Sequence, residues 1–372
     1  MKDQLAEKLL AQVMGWKNPE QYLEHGSPLQ SLASYKYDEY QQFSPGMRFI
    51  ESLARWLDQF ETVDERQIAL AFVRERLVFI SSWEMNHLVS ISYPDYILPF
   101  LLSRAASESG LAKWYFAKVA GSLEFRVRER RCLFLGLSDG SRTDVFRRAN
   151  PRLWNEQVRQ SHELSEERVE NLRGALEKDL ESLKGRGPTE EEAVFQSVVL
   201  LDDFSGSGFS YIRDEADGTV GGKVGKFINS LCDESKPICT LFARGGLEII
   251  LVLYMATETA ERVLSSRLND LCARHGYQPK LLVIQKFPEN QRIFRGTSPD
   301  FDDLIETYYD KDNESSSTDK GGTDLRYGFA GGGLPLVLSH NAPNNSIGLL
   351  HAEGSKMRAL FPRVTRHRDI KG

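Results

Sequence analysis

Apolar residues along the first hundred positions recur at helical spacing. Phe49, Ile50, Leu53, Trp56, Leu57 and Phe60 follow the break Ser44-Pro45-Gly46 at intervals of three and four, which places them on one face of a helix. Ile68, Phe72 and Leu77 continue the pattern in a second segment starting near Asp64. Tyr93-Pro94 and Leu98-Pro99 then interrupt it, as turns or a kinked helix do. The opening stretch MKDQLAEKLLAQVMGW mixes acids and amides into its apolar positions. It reads as an amphipathic helix and carries no signal-peptide core or cleavage site. The expectation is an all-helical N-terminal domain over residues 1–120.

The pattern changes near residue 130, where a second domain, 121–372, is expected. Cys132–Leu135 is a short apolar run, followed by the turn GLSDG and a helix from about Arg142. SEERVENLRGALEKDLESLKG, residues 165–185, carries Val169, Leu172, Leu176, Leu180 and Leu183 on one stripe. That stripe is either core or a helix-pairing seam, and Glu166 and Glu167 suit the positive N-terminal end of the helix. GRGPTEE (185–191) is a linker. VVLLDD (198–203), LEIILVLYMA (247–256) and KLLVIQKF (280–287) are near-continuous apolar runs that alternate with helical segments at 222–231 and 258–276. Such runs mark strands buried on both faces, so the fold class is α/β with a parallel sheet. Residues 310–324, DKDNESSSTDKGGTD, read as a polar mobile loop.

Composition narrows the function without naming it. The 372 residues are 41% hydrophobic and 27% charged, with net charge −6 and a pI near 5.8. Bulk attraction to nucleic acid or an anionic membrane is therefore not indicated. LEIILVLYMA is half the length of a membrane-spanning helix. Cys132, Cys232, Cys239 and Cys272 lack metal-type spacing, so reduced thiols in a cytoplasmic protein are expected. Glu84, Asn86 and His87 cluster in WEMNH, a structural rather than catalytic grouping.

The chemistry concentrates where VVLL runs into Asp202, Asp203 and the loop FSGSGFS. In a parallel sheet, ligands bind beyond the carboxyl ends of strands, where both acids lie. Glycines let successive backbone N–H groups turn toward one point, and serine hydroxyls add donors, which makes an anion nest. Two carboxylates beside a phosphate nest are sensible if they address neutral hydroxyls or a cation. A ribose 5-phosphate with Mg²⁺ offers both. A strand ending in a solvated Asp-Asp turn is the plainer alternative.

VVLLDDFSGSGFS resembles the phosphoribosyl-pyrophosphate (PRPP) motif of type I phosphoribosyltransferases. SDGSRTDVFRR, LLDDFSGSG and HNAPNN further resemble a bacterial phosphoribosyltransferase-like group found with anti-phage and other conflict systems. The resemblance implies a type I phosphoribosyltransferase-like core and the cofactor Mg²⁺. By position, Asp202 and Asp203 would take the ribose 2- and 3-hydroxyls. Ser205, Gly206, Ser207, Gly208, Phe209 and Ser210 would cradle the 5-phosphate. A pyrophosphate turn is expected upstream, and Ser138, Asp139, Gly140, Ser141 and Arg142 sit where a strand meets a helix N-terminus. Arg142, with its guanidinium fork, would join the two acids as a catalytic residue. Taken alone, S-D-G is also a common turn and helix cap.

His340, Asn341, Asn344 and Asn345 form a third candidate group, able to contact an acceptor base or pyrophosphate, or equally to close a self-bonded turn. The long loop after Ser210 and the added helices depart from salvage enzymes. Transfer or cleavage at ribose C1 is the leading expectation. The rival is a non-catalytic ribose-phosphate or nucleotide sensor, or a module that binds a protein partner through the helical N-terminal domain. A homo-oligomer is compatible with either reading.

Overall fold

The computed structural model describes residues 3–215, 218–310, 324–354 and 357–363. Most of the loop expected at 310–324 lies outside these residues. The chain divides into two compact units, Met1–Glu84 with Pro288–Gly372, and Met85–Phe287. Residue 120 falls inside the second, so the observed division runs elsewhere than the expected boundary.

The first unit begins with α1 (Asp3–Val13), α2 (Pro19–Tyr35), α3 (Phe49–Leu57), α4 (Val63–Glu75) and β1 (Val78–Ile80). On α3, Phe49, Ile50, Leu53, Trp56 and Leu57 are all buried, as their spacing requires. Thr62 starts α4 through a capping box: its Oγ1 accepts from the Glu65 N–H at 3.2 Å, and the Glu65 carboxylate accepts from the Thr62 N–H at 2.8 Å. Each such bond satisfies an otherwise orphaned donor of the first turn. After the second unit the chain adds α13 (Pro299–Tyr308), β9 (Leu336–Leu338) and α14 (Gly348–His351). β9 pairs in parallel with β1, so the region expected to be all helical contains a strand, stabilised by a partner far along the chain. The Phe72 and Phe301 rings stack with centroids 3.9 Å apart.

The second unit starts within α5 (Ser82–Ile91), followed by a π-helical turn, Ser92–Ile97. It continues with α6 (Leu98–Glu108), α7 (Phe116–Ala120), α8 (Leu123–Arg130), β2 (Cys132–Gly136), α9 (Thr143–Ala149), β3 (Val158–Arg159) and α10 (Glu166–Lys184). Then come β4 (Ser197–Ser205), β5 (Arg213–Asp214), β6 (Val220–Gly221), α11 (Lys223–Cys232), β7 (Glu248–Thr257), α12 (Glu258–His275) and β8 (Gln278–Phe287).

Five strands form one parallel sheet in the order β3-β2-β4-β7-β8. Every residue of β7 is buried, as expected of a strand covered on both faces. On one face, Leu133, Leu135, Val198, Leu200, Ile249 and Leu251 share a core with apolar residues of α10, α11 and α12. Val169, Leu172, Leu176 and Leu180 are buried there, so the α10 stripe is core. On the other face the Phe134 ring meets Phe146 and Tyr93, with centroids 5.2 and 6.0 Å away.

Sheet order locates the crevice. Counted along the chain, the strands lie 2-1-3-4-5, so the winding reverses between β2 and β4. Ligands of open parallel sheets bind outside the carboxyl ends at such a reversal. Gly136 pairs with Leu201 in register, and the SDGS turn and the Asp-Asp pair leave those two strands side by side.

Candidate functional site

Successive residues of a strand point to opposite faces, so the two acids at the end of β4 are not equivalent. Asp202 is fully buried, whereas Asp203 is half-buried. The Asp202 carboxylate accepts from the Ser138 hydroxyl on one oxygen and from the Lys223 ammonium on the other. Burial pushes its carboxyl above the usual range and the neighbouring Asp203 charge adds to this, while Lys223 and Ser138 oppose both. A buried carboxylate is tolerable only when paired and hydrogen-bonded, and these two partners meet that condition. Asp203 Oδ1 accepts from the Phe204 N–H at 2.8 Å. Its side chain lies directly against Gly140, where an added Cβ would come within 2.3 Å of Oδ2.

Gly140 thus allows the turn after β2 to close on the acid pair. Ser141 is the buttress of that turn. Its buried Oγ donates to the Leu201 carbonyl at 2.7 Å and accepts from the Leu137 and Ser138 N–H groups, each at 3.0 Å. Tyr254 on β7 donates from its hydroxyl to the Ser141 carbonyl at 2.7 Å. Arg142 follows with φ 46° and ψ 42°, left-handed backbone that few non-glycine residues adopt. Its Nη1 donates to Asn86 Oδ1 at 3.0 Å. The hydroxyls of Ser138 and Ser141, expected to face a ligand pyrophosphate, are thus bonded to the protein. Asp139 is exposed on the same turn.

The glycine-serine loop is held from both sides. Ser205 Oγ accepts from the Gly208 N–H at 3.1 Å, and the Gly206 carbonyl accepts from Thr257 Oγ1 at 2.8 Å. Thr257 also caps α12 by accepting from the Ala260 N–H at 2.9 Å. Gly208 sits at φ +83°, which favours glycine, and a Cβ there would lie a tight 3.1 Å from Leu264 Cγ. The Arg267 guanidinium lies 4.7 Å from the Phe209 ring centroid. Ser207 is half-buried and Ser210 exposed. The stretch YIRDEADGTVGG carries the antiparallel pair β5–β6 between this loop and α11.

Lys223, the first residue of α11, was not among the residues expected from sequence. Its N–H donates to the Ser210 carbonyl at 3.0 Å, and its ammonium lies 5.1 Å from the Tyr211 ring centroid. The signal available was a lysine directly after Gly221-Gly222 at a helix start. Tyr254 and Thr257 were also missed, because they lie in a strand and a cap that read as purely structural.

His340, Asn341, Asn344 and Asn345 belong to the first unit, not to the unit carrying the acid pair. The His340 carbonyl accepts from Gln42 Nε2 at 2.8 Å, and Asn341 closes a tight turn from its N–H to the Leu338 carbonyl at 3.0 Å. The Asn344 carbonyl accepts from the Phe329 N–H at 2.7 Å, and Asn345 Nδ2 donates to the Phe329 carbonyl at 2.8 Å. Of these, only the Leu338–Asn341 bond closes a local turn; the others tie the segment to Gln42 and Phe329, and the buried Asn341 Oδ1 has no hydrogen-bond partner among the described residues.

The acid pair, the glycine-serine loop and the turn from β2 meet at the point where the sheet reverses. The PRTase-CE family model matches residues 53–363. The chain belongs to this phosphoribosyltransferase-type family. Neither a curated protein nor a solved structure matches it. The family match covers most of the chain and supports a phosphoribosyltransferase-like function. No helix among the described residues is long and apolar enough to cross a membrane.

Proposed function

We propose that this PRTase-CE protein is an enzyme that binds PRPP or a nucleotide and transfers or cleaves at ribose C1. The observation that carries the reading is the acid pair, set against both the glycine-serine loop and the turn after β2 at the sheet's reversal. Asp202 and Asp203 would accept hydrogen bonds from the ribose hydroxyls, with the 5-phosphate in the loop Ser205–Ser210. In the transfer step an acceptor nucleophile forms a bond to C1 while the C1–O bond to pyrophosphate breaks. The electron pair leaves with the pyrophosphate, and the sugar passes through an oxocarbenium-like state. Holding the sugar by two hydroxyls and a phosphate fixes C1 toward the acceptor. Cleavage of a nucleotide at the same carbon uses the same contacts, which is the chemistry a bacterial defence effector would need.

Among the described residues no group of three or more His, Cys, Asp and Glu side chains could hold a metal ion. Mg²⁺ would be held by the ligand's pyrophosphate together with no more than one or two protein carboxylates, where it would supply charge neutralisation. One feature favours the sensor reading. Ser138 and Ser141 spend their hydroxyls on Asp202 and Leu201, and Arg142 bonds to Asn86, so these side chains of the leaving-group side are engaged with the protein.

Calorimetric titration of PRPP with Mg²⁺ into wild type and Asp202→Asn/Asp203→Asn tests the site. Saturable binding that weakens at least about tenfold in the double variant supports it, since charge-assisted acceptors for both hydroxyls are lost. Equal binding in the two proteins sinks the assignment. Pyrophosphate release in the presence of candidate bases or nucleotides then separates enzyme from sensor.

A further inference from the structure

We propose that Lys223 is a displaceable counter-ion of the acid pair, which leaves Asp202 when ribose hydroxyls arrive and passes to the ligand's phosphate. The inference rests on the ribose-phosphate reading of the site, and it adds a residue that makes the hydroxyls and the phosphate of one ligand act together.

Three observations support it. Lys223 is anchored at the phosphate end of the loop, because its N–H donates to the Ser210 carbonyl. Its ammonium nonetheless lies at the sugar end, on Asp202. The ammonium also lies 5.1 Å from the Tyr211 ring centroid, and the Tyr211 hydroxyl donates to the Phe204 carbonyl at 2.9 Å, beside the acids. One side chain thus spans the site from phosphate loop to acid pair. The Lys223 side chain is 30% exposed while Asp202 is wholly buried, so of the two partners the ammonium is the one with a route toward solvent. A lysine suits this task, being a compact charge on a flexible stem, where arginine would grip the carboxylate with a fixed fork.

Asp202 cannot be left buried and unpaired. A ligand that removes Lys223 must therefore supply hydroxyl donors in its place. The released ammonium must in turn find an anion within reach of the Ser210 end. Ribose alone meets the first demand and inorganic phosphate alone meets the second. A ribose 5-phosphate meets both, so Lys223 favours sugar phosphates over their separate parts.

The test uses inorganic phosphate and ribose 5-phosphate as calorimetric probes, without divalent cations. In Asp202→Asn the ammonium has lost its carboxylate and is free for anions. Inorganic phosphate is expected to bind about tenfold tighter to this variant than to wild type, while ribose 5-phosphate, deprived of its hydroxyl acceptor, weakens. Asp202→Asn/Lys223→Met, which leaves no unpaired buried charge, is expected to lose that roughly tenfold gain and return to about the wild-type phosphate affinity.

A phosphate affinity that does not rise in Asp202→Asn overturns the proposal. So does a rise that survives in the double variant, since removal of a negative charge alone would then account for it. Failure of the ribose-phosphate reading looks different: phosphate follows the expected order, but wild type binds ribose 5-phosphate no better than phosphate. That result would keep Lys223 as an anion ligand and overturn its coupling to the sugar.

Discussion

Gly140→Ala moves a carboxylate without removing it, which makes it a demanding check on the site. Gly140 is not in left-handed backbone, so alanine is conformationally acceptable there and the effect is steric. The new Cβ would lie 2.3 Å from Asp203 Oδ2, 2.6 Å from its Cγ and 3.1 Å from its Cβ. Ordinary contact needs about 3.5 Å, so the carboxylate or the turn must give by about 1 Å. Rotating Asp203 away would sacrifice its bond from the Phe204 N–H. Moving the turn would strain Ser141, which is tied to Leu137, Ser138, Leu201 and Tyr254. Overpacking costs about 1–3 kcal/mol, offset by about 0.4–1 kcal/mol from the stiffer unfolded chain. Urea unfolding should therefore show a net loss of about 1–2 kcal/mol in a protein that still folds. A displacement of about 1 Å at a reacting centre costs about a hundredfold in rate. The assay is turnover, or PRPP affinity if no acceptor is found, measured beside stability. Wild-type function in a folded Gly140→Ala protein would refute the claim that Asp203 acts from its observed place.

Other expectations test the scaffold and its pH dependence. His351 is pushed down to about 4, first by burial and then by the Arg363 guanidinium, and its Nε2 lies 3.1 Å from the Ser346 carbonyl. A depressed histidine contributes stability that is present above its unfolded value of about 6.5 and lost as the pH falls toward about 4. Thermal melts should fall through that window in wild type and fall less in His351→Gln. Tyr254→Phe removes the hydroxyl that donates to the Ser141 carbonyl; urea titration should register a loss of about 1 kcal/mol. Leu176→Ala empties a fully buried position on α10 and should cost about 2–5 kcal/mol. A loss under about 0.5 kcal/mol would mean the α10 stripe does not belong to the core.

Local pattern was enough for the elements that carry the chemistry. VVLL reads as a buried strand because four consecutive apolar residues suit a position between two layers, and DDFSGSG reads as a strand-end loop because acids, glycines and serines cannot continue it. The helical spacing of Phe49 to Leu57 and the stripe of α10 were legible for the same reason: a repeat near 3.6 residues maps onto one face. Partner choice was not legible in this way. Ser138 looks like a pyrophosphate donor until β2 and β4 lie side by side and its hydroxyl meets Asp202. Lys223 lies 21 residues beyond Asp202 in the chain, on a helix that returns to the strand end only after β5 and β6. His340 to Asn345 share the residue types of a ligand loop, yet their amides and carbonyls close on Gln42, Phe329 and Leu338. What the sequence determined by itself was the four longest apolar strands of the sheet, the helical faces and the acid-glycine loop, because these depend on neighbours a few residues apart. The short strands β1, β3, β5 and β6 depend instead on their pairing. Tertiary structure alone decided which acid is buried, which cation balances it and which hydroxyls are already taken, because those bonds join residues that only the closing of the sheet brings within reach.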